Sequence, residues 1–245
     1  MKIAPYIFLL FLITQACSMS KDEGENVTTG EGGSLARFTI VDDYLYVVNE
    51  TSLQTYSLVN NPLVPENVDN EYLGFGTETI FPYENYLLLG TQDGMYIYNL
   101  SNPAIPSQVT QFQHIRSCDP VVAENGYAYI TLSSSNQVCW RGLNEMQIVN
   151  IQNPGNPYLM TNYSMFNPQG LDIHNDSLFV CDDGIKILDV SNKQIPKEIK
   201  HISNITAKDV IYSQGRLMVI GEDGFRQYSI QSSGLNLLST ISVTP

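Results

Sequence analysis

The chain has 245 residues, 43% of them apolar and only 15% charged, a globular composition with ample material for a core. Its formal charge of −13, from 25 acids against 12 bases, repels phosphates and anionic headgroups and excludes nucleic acid as a partner. Fifteen tyrosines and many Val, Ile, Thr, Ser and Asn residues favour strands and turns over helices.

In chain order, Met1 and Lys2 give a positive start, and "IAPYIFLLFLI" (Ile3 to Ile13) is an apolar run of signal-peptide length, too short to span a bilayer. "TQACS" follows, with the small Ala16 before Cys17. This resembles the lipobox of bacterial lipoproteins, where the chain is cut before a Cys that then carries lipid; Thr14 departs from the usual Leu. The plain alternative is a secretory signal with an incidental Cys. Lys21, Asp22 and Glu23 resemble the lipoprotein export signal of Bacteroidetes, which implies the outer face of the outer membrane; otherwise they are a solvated tether. Residues 1–16 are thus expected to be the lipoprotein signal peptide. Residues 17–34 form a flexible acidic tether behind the lipidated Cys, and residues 35–245 form the folded part.

The folded part repeats itself. Five strands of one kind occur: "YLYVV" at Tyr44, "YLLLG" at Tyr86, "YAYIT" at Tyr127, "SLFVC" at Ser177 and "RLMVI" at Arg216, spaced 42, 41, 50 and 39 residues apart. Each is preceded by a short strand and a tight Asn, Asp or Gly turn. Each is followed by a polar turn ("TQDG", "CDDG", "GEDG"), a third strand ("MYIYNL", "IKILDV"), an Asn-Pro-type turn and a weaker fourth strand. Four short strands per forty residues predict a β-propeller of five four-stranded blades, closed blade by blade. No sequence remains between Leu35 and Pro245 for a sixth.

The motif in "GMYIYNLSNPAIP" and "GIKILDVSNKQIP" resembles that of the LVIVD-repeat family, whose members are expected to be propellers and include many bacteroidete lipoproteins. The resemblance is clearest in the second and fourth copies. It implies fold and envelope location, with lipid-anchored attachment to the outer membrane and exposure at the cell surface. It implies no activity.

The third copy carries about ten extra residues, "SSSNQVCWRGLNE" (Ser133 to Glu145), and Cys118 stands before its first strand. The two loops involved lie on one face of a propeller, so Cys118 and Cys139 are placed to meet and form a disulfide in an oxidising compartment; two separate thiols are the alternative. Trp140, Arg141 and Arg116 gather an aromatic and two cations beside that pair, a candidate recognition surface. The alternative is that Trp140 plugs the blade core. Acids recur near first-strand starts (Glu78, Asp119, Asp172, Asp209), either around the channel mouth or capping local backbone groups. No catalytic motif, cofactor motif or metal-ligand spacing is present. The expected function is therefore a non-catalytic interaction module for a protein or glycan. The readings set second are a hydrolase or lyase with its site in the propeller funnel, and an accessory subunit of an outer-membrane assembly.

Overall fold

The computed structural model describes residues 33–113, 120–134, 143–231 and 234–243. Five antiparallel sheets of four consecutive strands form the blades of a propeller. Blade 1 holds β1 (Phe38–Val41), β2 (Tyr44–Val48), β3 (Ser52–Ser57) and β4 (Glu66–Tyr72). Blade 2 holds β5 (Thr77–Tyr83), β6 (Tyr86–Thr91), β7 (Gly94–Asn99) and β8 (Ser107–Gln113). Blade 3 holds β9 (Val121–Glu124), β10 (Tyr127–Leu132), β11 (Glu145–Asn150) and β12 (Tyr158–Ser164). Blade 4 holds β13 (Leu171–His174), β14 (Ser177–Cys181), β15 (Ile185–Asp189) and β16 (Lys197–Ile202). Blade 5 holds β17 (Asp209–Ser213), β18 (Arg216–Gly221), β19 (Gly224–Gln231) and β20 (Gly234–Ser242). The five copies therefore map one to one onto five blades, and none of these sheets borrows a strand from the other end of the chain.

The turns explain the register. Asn125 and Gly126 (φ 52° and 82°), Asn175 and Asp176 (48° and 59°), and Gln214 and Gly215 (49° and 75°) put both central residues in the left-handed region. That geometry matches the right-handed twist of the strands it joins, and Asn, Asp and Gly tolerate it best.

The period-two alternation of each strand divides a blade into two apolar faces, one toward the preceding blade and one toward the following blade. In β6, Leu87 and Leu89 face back toward Tyr46, Val48 and Leu53, while Leu88 faces forward toward Val121, Ala128 and Ile130. The same order recurs at the next two junctions: Tyr129, Met146 and Ile148 meet Leu178 and Val180, and Phe179, Cys181 and Ile187 meet Val210, Leu217 and Val219. Each fully buried Leu or Ile contributes roughly 1.5–3 kcal/mol of burial, so blade-to-blade packing dominates the fold's stability.

Polar ties reinforce the junctions near the axis. The Gly126 N–H donates to Tyr83 Oη, and the N–H groups of Asn175 and Asp176 donate to the Glu124 carboxylate. The Tyr212 N–H donates to Asp172 Oδ2, and the Ile80 N–H donates to the Ala36 carbonyl at 2.9 Å. Gly33 and Ser34, just ahead of the repeat, belong to the ring as well. Ser34 is buried against Asp209 and Leu171.

Candidate functional site

On one face of the propeller, the loop reaching each first strand lies beside the turn between the second and third strands. In blade 4, Asp182 joins the two. Its buried carboxylate accepts from the N–H groups of Phe166 and Asn167 (2.6 Å to Asn167) and from Lys186 Nζ at 2.7 Å. Burial pulls the Lys186 pKa down, but the hydrogen bond and charge of Asp182, with the charge of Glu198, outweigh it and leave it raised. The base of the third-repeat insertion abuts the same loop. Ser134 donates from N–H and Oγ to Asn144 Oδ1 (2.8 and 2.9 Å), and Asn144 Nδ2 donates to the Phe166 carbonyl at 2.7 Å.

Between this loop and blade 5 lies a cavity of about 300 Å³. Asn167, Gln169, Asn204 and Thr206 give it a polar lining, and Lys208 and Glu222 also contribute to its wall. Lys208 Nζ and Glu222 Oε1 are 3.1 Å apart, the Lys208 side chain 41% and the Glu222 side chain 73% exposed. Cys181 also borders it, but burial, with the nearby Asp209 charge, pushes its thiol well above its ordinary range, so it is no thiolate nucleophile. A second cavity of about 280 Å³ lies between blades 2 and 3 and is lined by Tyr83, Tyr86, Leu88, Ile97 and Ile151, a more apolar set.

Asp209 adjoins Lys208 at the start of β17. Its Oδ1 accepts from Ser34 Oγ and from its following N–H (both 3.0 Å), and the Leu35 N–H also donates to the carboxylate. Burial pushes its pKa up to about 6, a rise these hydrogen bonds only partly offset. Gly33 and Gly170 flank the carboxylate so closely that a Cβ on either would lie 2.2 or 2.1 Å from its oxygens. The acids expected near first-strand starts are thus committed to other groups. Asp172 accepts from blade 5, Asp209 accepts from the segment ahead of blade 1, and Glu78 accepts from Gln92 at 3.2 Å while burial raises its pKa. Asp119 lies outside the described residues. Among the described residues, no group of three or more His, Cys, Asp or Glu side chains is placed to hold a metal ion.

The residues singled out in the sequence, namely Cys17, Lys21, Asp22, Glu23, Arg116, Cys118, Cys139, Trp140 and Arg141, all lie outside the described residues. What the sequence reading missed is the Lys208–Glu222 pair. "GEDG" reads as turn chemistry, and nothing in one dimension brings it to Lys208 across a hairpin.

The five four-stranded antiparallel sheets define the molecule as a β-propeller. Residues 116–165, the third copy, match the family model described as LVIVD repeat. None of the curated proteins matches the sequence. Among solved structures, a functionally unknown protein of Desulfotomaculum acetoxidans is similar at 14% identity and a TM-score of 0.64, over 89% of this chain and 70% of that one. The periplasmic gluconolactonase of Pseudomonas aeruginosa is similar at 14% and 0.64, over 82% and 68%. A candidate 6-phosphogluconolactonase of Bacteroides fragilis is similar at 10% and 0.64, over 84% and 69%. Two of these similar structures carry the names of lactonases, which tells against the expectation of a non-catalytic interaction module. The physical reason for the miss is that a propeller site draws single residues from loops of different blades and leaves no linear motif.

Proposed function

We propose that this chain is a hydrolase for small, hydroxyl-rich lactones or esters, working in the cavity between blades 4 and 5. The observation that carries the proposal is the Lys208–Glu222 pair, 3.1 Å apart, at the rim of a polar cavity of about 300 Å³ between blades 4 and 5. That volume suits a ligand the size of one sugar acid, at the small end of ligand sites. The Glu222 carboxylate takes a proton from water as its oxygen bonds to the ester carbonyl carbon. The Lys208 ammonium stabilises the oxyanion that forms. Collapse breaks the ring C–O bond, the alkoxide leaves with the proton, and the product is a hydroxy acid. Asn167, Asn204 and Thr206 supply hydrogen bonds for substrate hydroxyls. The fold shared with two proteins named as lactonases supports this reading.

The proposal extends to place: a bacteroidete-type lipoprotein held by lipid on Cys17 at the outer membrane and exposed at the cell surface. The "TQAC" stretch and the Lys21-Asp22-Glu23 tether support it.

The test is hydrolysis of glucono-1,5-lactone and its 6-phosphate, followed as acid release above the spontaneous rate. Glu222→Gln and Lys208→Met are each expected to lower kcat by about a hundredfold at unchanged melting temperature. Rates no faster than spontaneous hydrolysis for both lactones, or full activity in both variants, would overturn the assignment.

A further inference from the structure

At the four junctions from blade 1 to blade 5, the third residue of the second strand faces the following blade: Tyr46, Leu88, Tyr129 and Phe179 in turn. Three of the four are aromatic. Tyr46 is fully buried, and its Oη donates to the Pro103 carbonyl of blade 2 at 2.8 Å. Tyr129 is fully buried too, and Lys193 Nζ of blade 4 lies 5.7 Å from its ring centre. Phe179 stacks on Tyr212 of blade 5, with ring centroids 5.8 Å apart. The residues these tyrosines reach hold equivalent places. Asn102-Pro103, Asn153-Pro154 and Asn192-Lys193 open the same turn, in which the Asn carbonyl accepts the N–H three residues on at 3.1, 2.9 and 3.1 Å. Leu88 has the register of Tyr129: it lies between Phe81 and Ile97, as Tyr129 lies between Val122 and Ile148. It carries neither ring nor hydroxyl toward blade 3. The cavity of about 280 Å³ is at this junction, bounded by Leu88 and Ile97 from blade 2 and by Ile151 and Pro154 from blade 3.

We infer that this cavity between blades 2 and 3 is a binding site for a small monocyclic phenol, its ring taking the place that Tyr46 and Tyr129 take in their junctions and its hydroxyl donating to the Pro154 carbonyl. The chain itself supplies the template, since the same blade geometry closes on a phenol side chain on either side of this junction. The chemistry of the wall agrees. Leu88, Ile97 and Ile151 are 0–3% exposed, and an apolar cavity of this kind holds an aromatic ring better than it holds water. Tyr83 and Tyr86, paired across β5 and β6, add two half-buried rings whose edges and faces suit a third. The volume, at the small end of ligand sites, suits one six-membered ring with a short substituent. Glu84, exposed at the rim, disfavours a ligand that carries a carboxylate. The site is separate from the one proposed for hydrolysis. Glu84 and Gly126 belong to turns between first and second strands and Pro154 to a turn between third and fourth strands, on the face opposite the Lys208–Glu222 pair.

The probe is p-cresol, titrated into the purified protein and followed by calorimetry. Saturable one-to-one binding is expected. Toluene, which has the ring without the hydroxyl, is expected to bind about fivefold more weakly for want of the hydrogen bond, and 4-hydroxybenzoate more weakly than p-cresol. Leu88→Tyr places the chain's own phenol in the cavity, so p-cresol binding is lost while the melting temperature holds or rises. Tyr46→Leu opens the matching space between blades 1 and 2, and the stoichiometry rises from one to two. The inference is overturned if p-cresol does not saturate, if toluene binds as tightly, or if Leu88→Tyr still binds p-cresol. A melting temperature of Leu88→Tyr far below that of the wild type would also overturn it, because the cavity would then not have the shape of a tyrosine ring. Tighter binding of N-acetyltyrosinamide than of p-cresol would overturn the free phenol as ligand and assign the site to a tyrosine side chain of a partner.

Discussion

Ser34 and Asp209 are 175 residues apart in sequence, yet the Ser34 hydroxyl donates to Asp209 Oδ1 at 3.0 Å, and the same oxygen of Ser34 accepts the Leu171 N–H at 2.9 Å. One buried side chain therefore ties the start of the fold to blades 4 and 5. Ser34→Ala removes the donor and leaves a buried N–H unpaired, at a cost of about 1–3 kcal/mol. Gly170→Ala, which forces a Cβ against the same carboxylate, is expected to cost at least as much. Urea unfolding of both variants is the measurement. Wild-type midpoints in both would show that the tie is not structural.

The pH dependence of stability follows from Asp209. Its pKa rises from 3.8 to about 6 on folding, chiefly through burial. The folded chain therefore holds this proton where the unfolded chain has lost it, so stability falls as pH rises from about 4 to about 6. The contribution is at most roughly 3 kcal/mol. Asp209→Asn keeps an acceptor for Ser34 and abolishes this slope. Melting curves across that window decide the matter, and an unchanged slope in Asp209→Asn would remove Asp209 as its source.

Asp182 organises the loop that walls the cavity. Asp182→Ala leaves two backbone N–H groups and Lys186 without their acceptor, and roughly 3 kcal/mol or more is lost, as for a broken buried ion pair. Lys186→Met leaves the two N–H donors on Asp182 and costs less. Comparing the two unfolding free energies tests this. Equal losses would place the effect on the ion pair alone.

For Cys118 and Cys139, the expected outcome is one linked peptide on mapping without reductant. Such a bond closes a loop of about twenty residues and stabilises by roughly 3 kcal/mol in the chain-entropy model. Free alkylation of both thiols would end the expectation.

External protease on intact cells tests the location. The wild type is expected to be cleaved, Cys17→Ala to be released from membranes, and joint alanine replacement of Lys21, Asp22 and Glu23 to protect the chain. A wild type that resists protease on whole cells but not in lysates would place it inside the envelope.

By itself the sequence determined the local level of this protein. Turn pairs such as Asn125-Gly126 and Gln214-Gly215 mark hairpins because few residues tolerate left-handed dihedrals, and the second strand starting at Tyr44, Tyr86, Tyr127, Ser177 and Arg216 appears where the repeat placed it. Those signals are short-range, repeat every forty residues and define the blade. Tertiary structure alone decided which apolar faces are covered. Phe38 is as apolar as Ile80, Leu171 or Val210, and its exposure depends only on whether a blade stands in front of it. The cavity is legible no earlier, since Asn167, Lys208 and Glu222 come from separate loops and carry no shared pattern until the blades pack. Ser34 shows the same limit from the other side. It sits in a stretch with the composition of a tether, and only a buried carboxylate 175 residues away makes it part of the core.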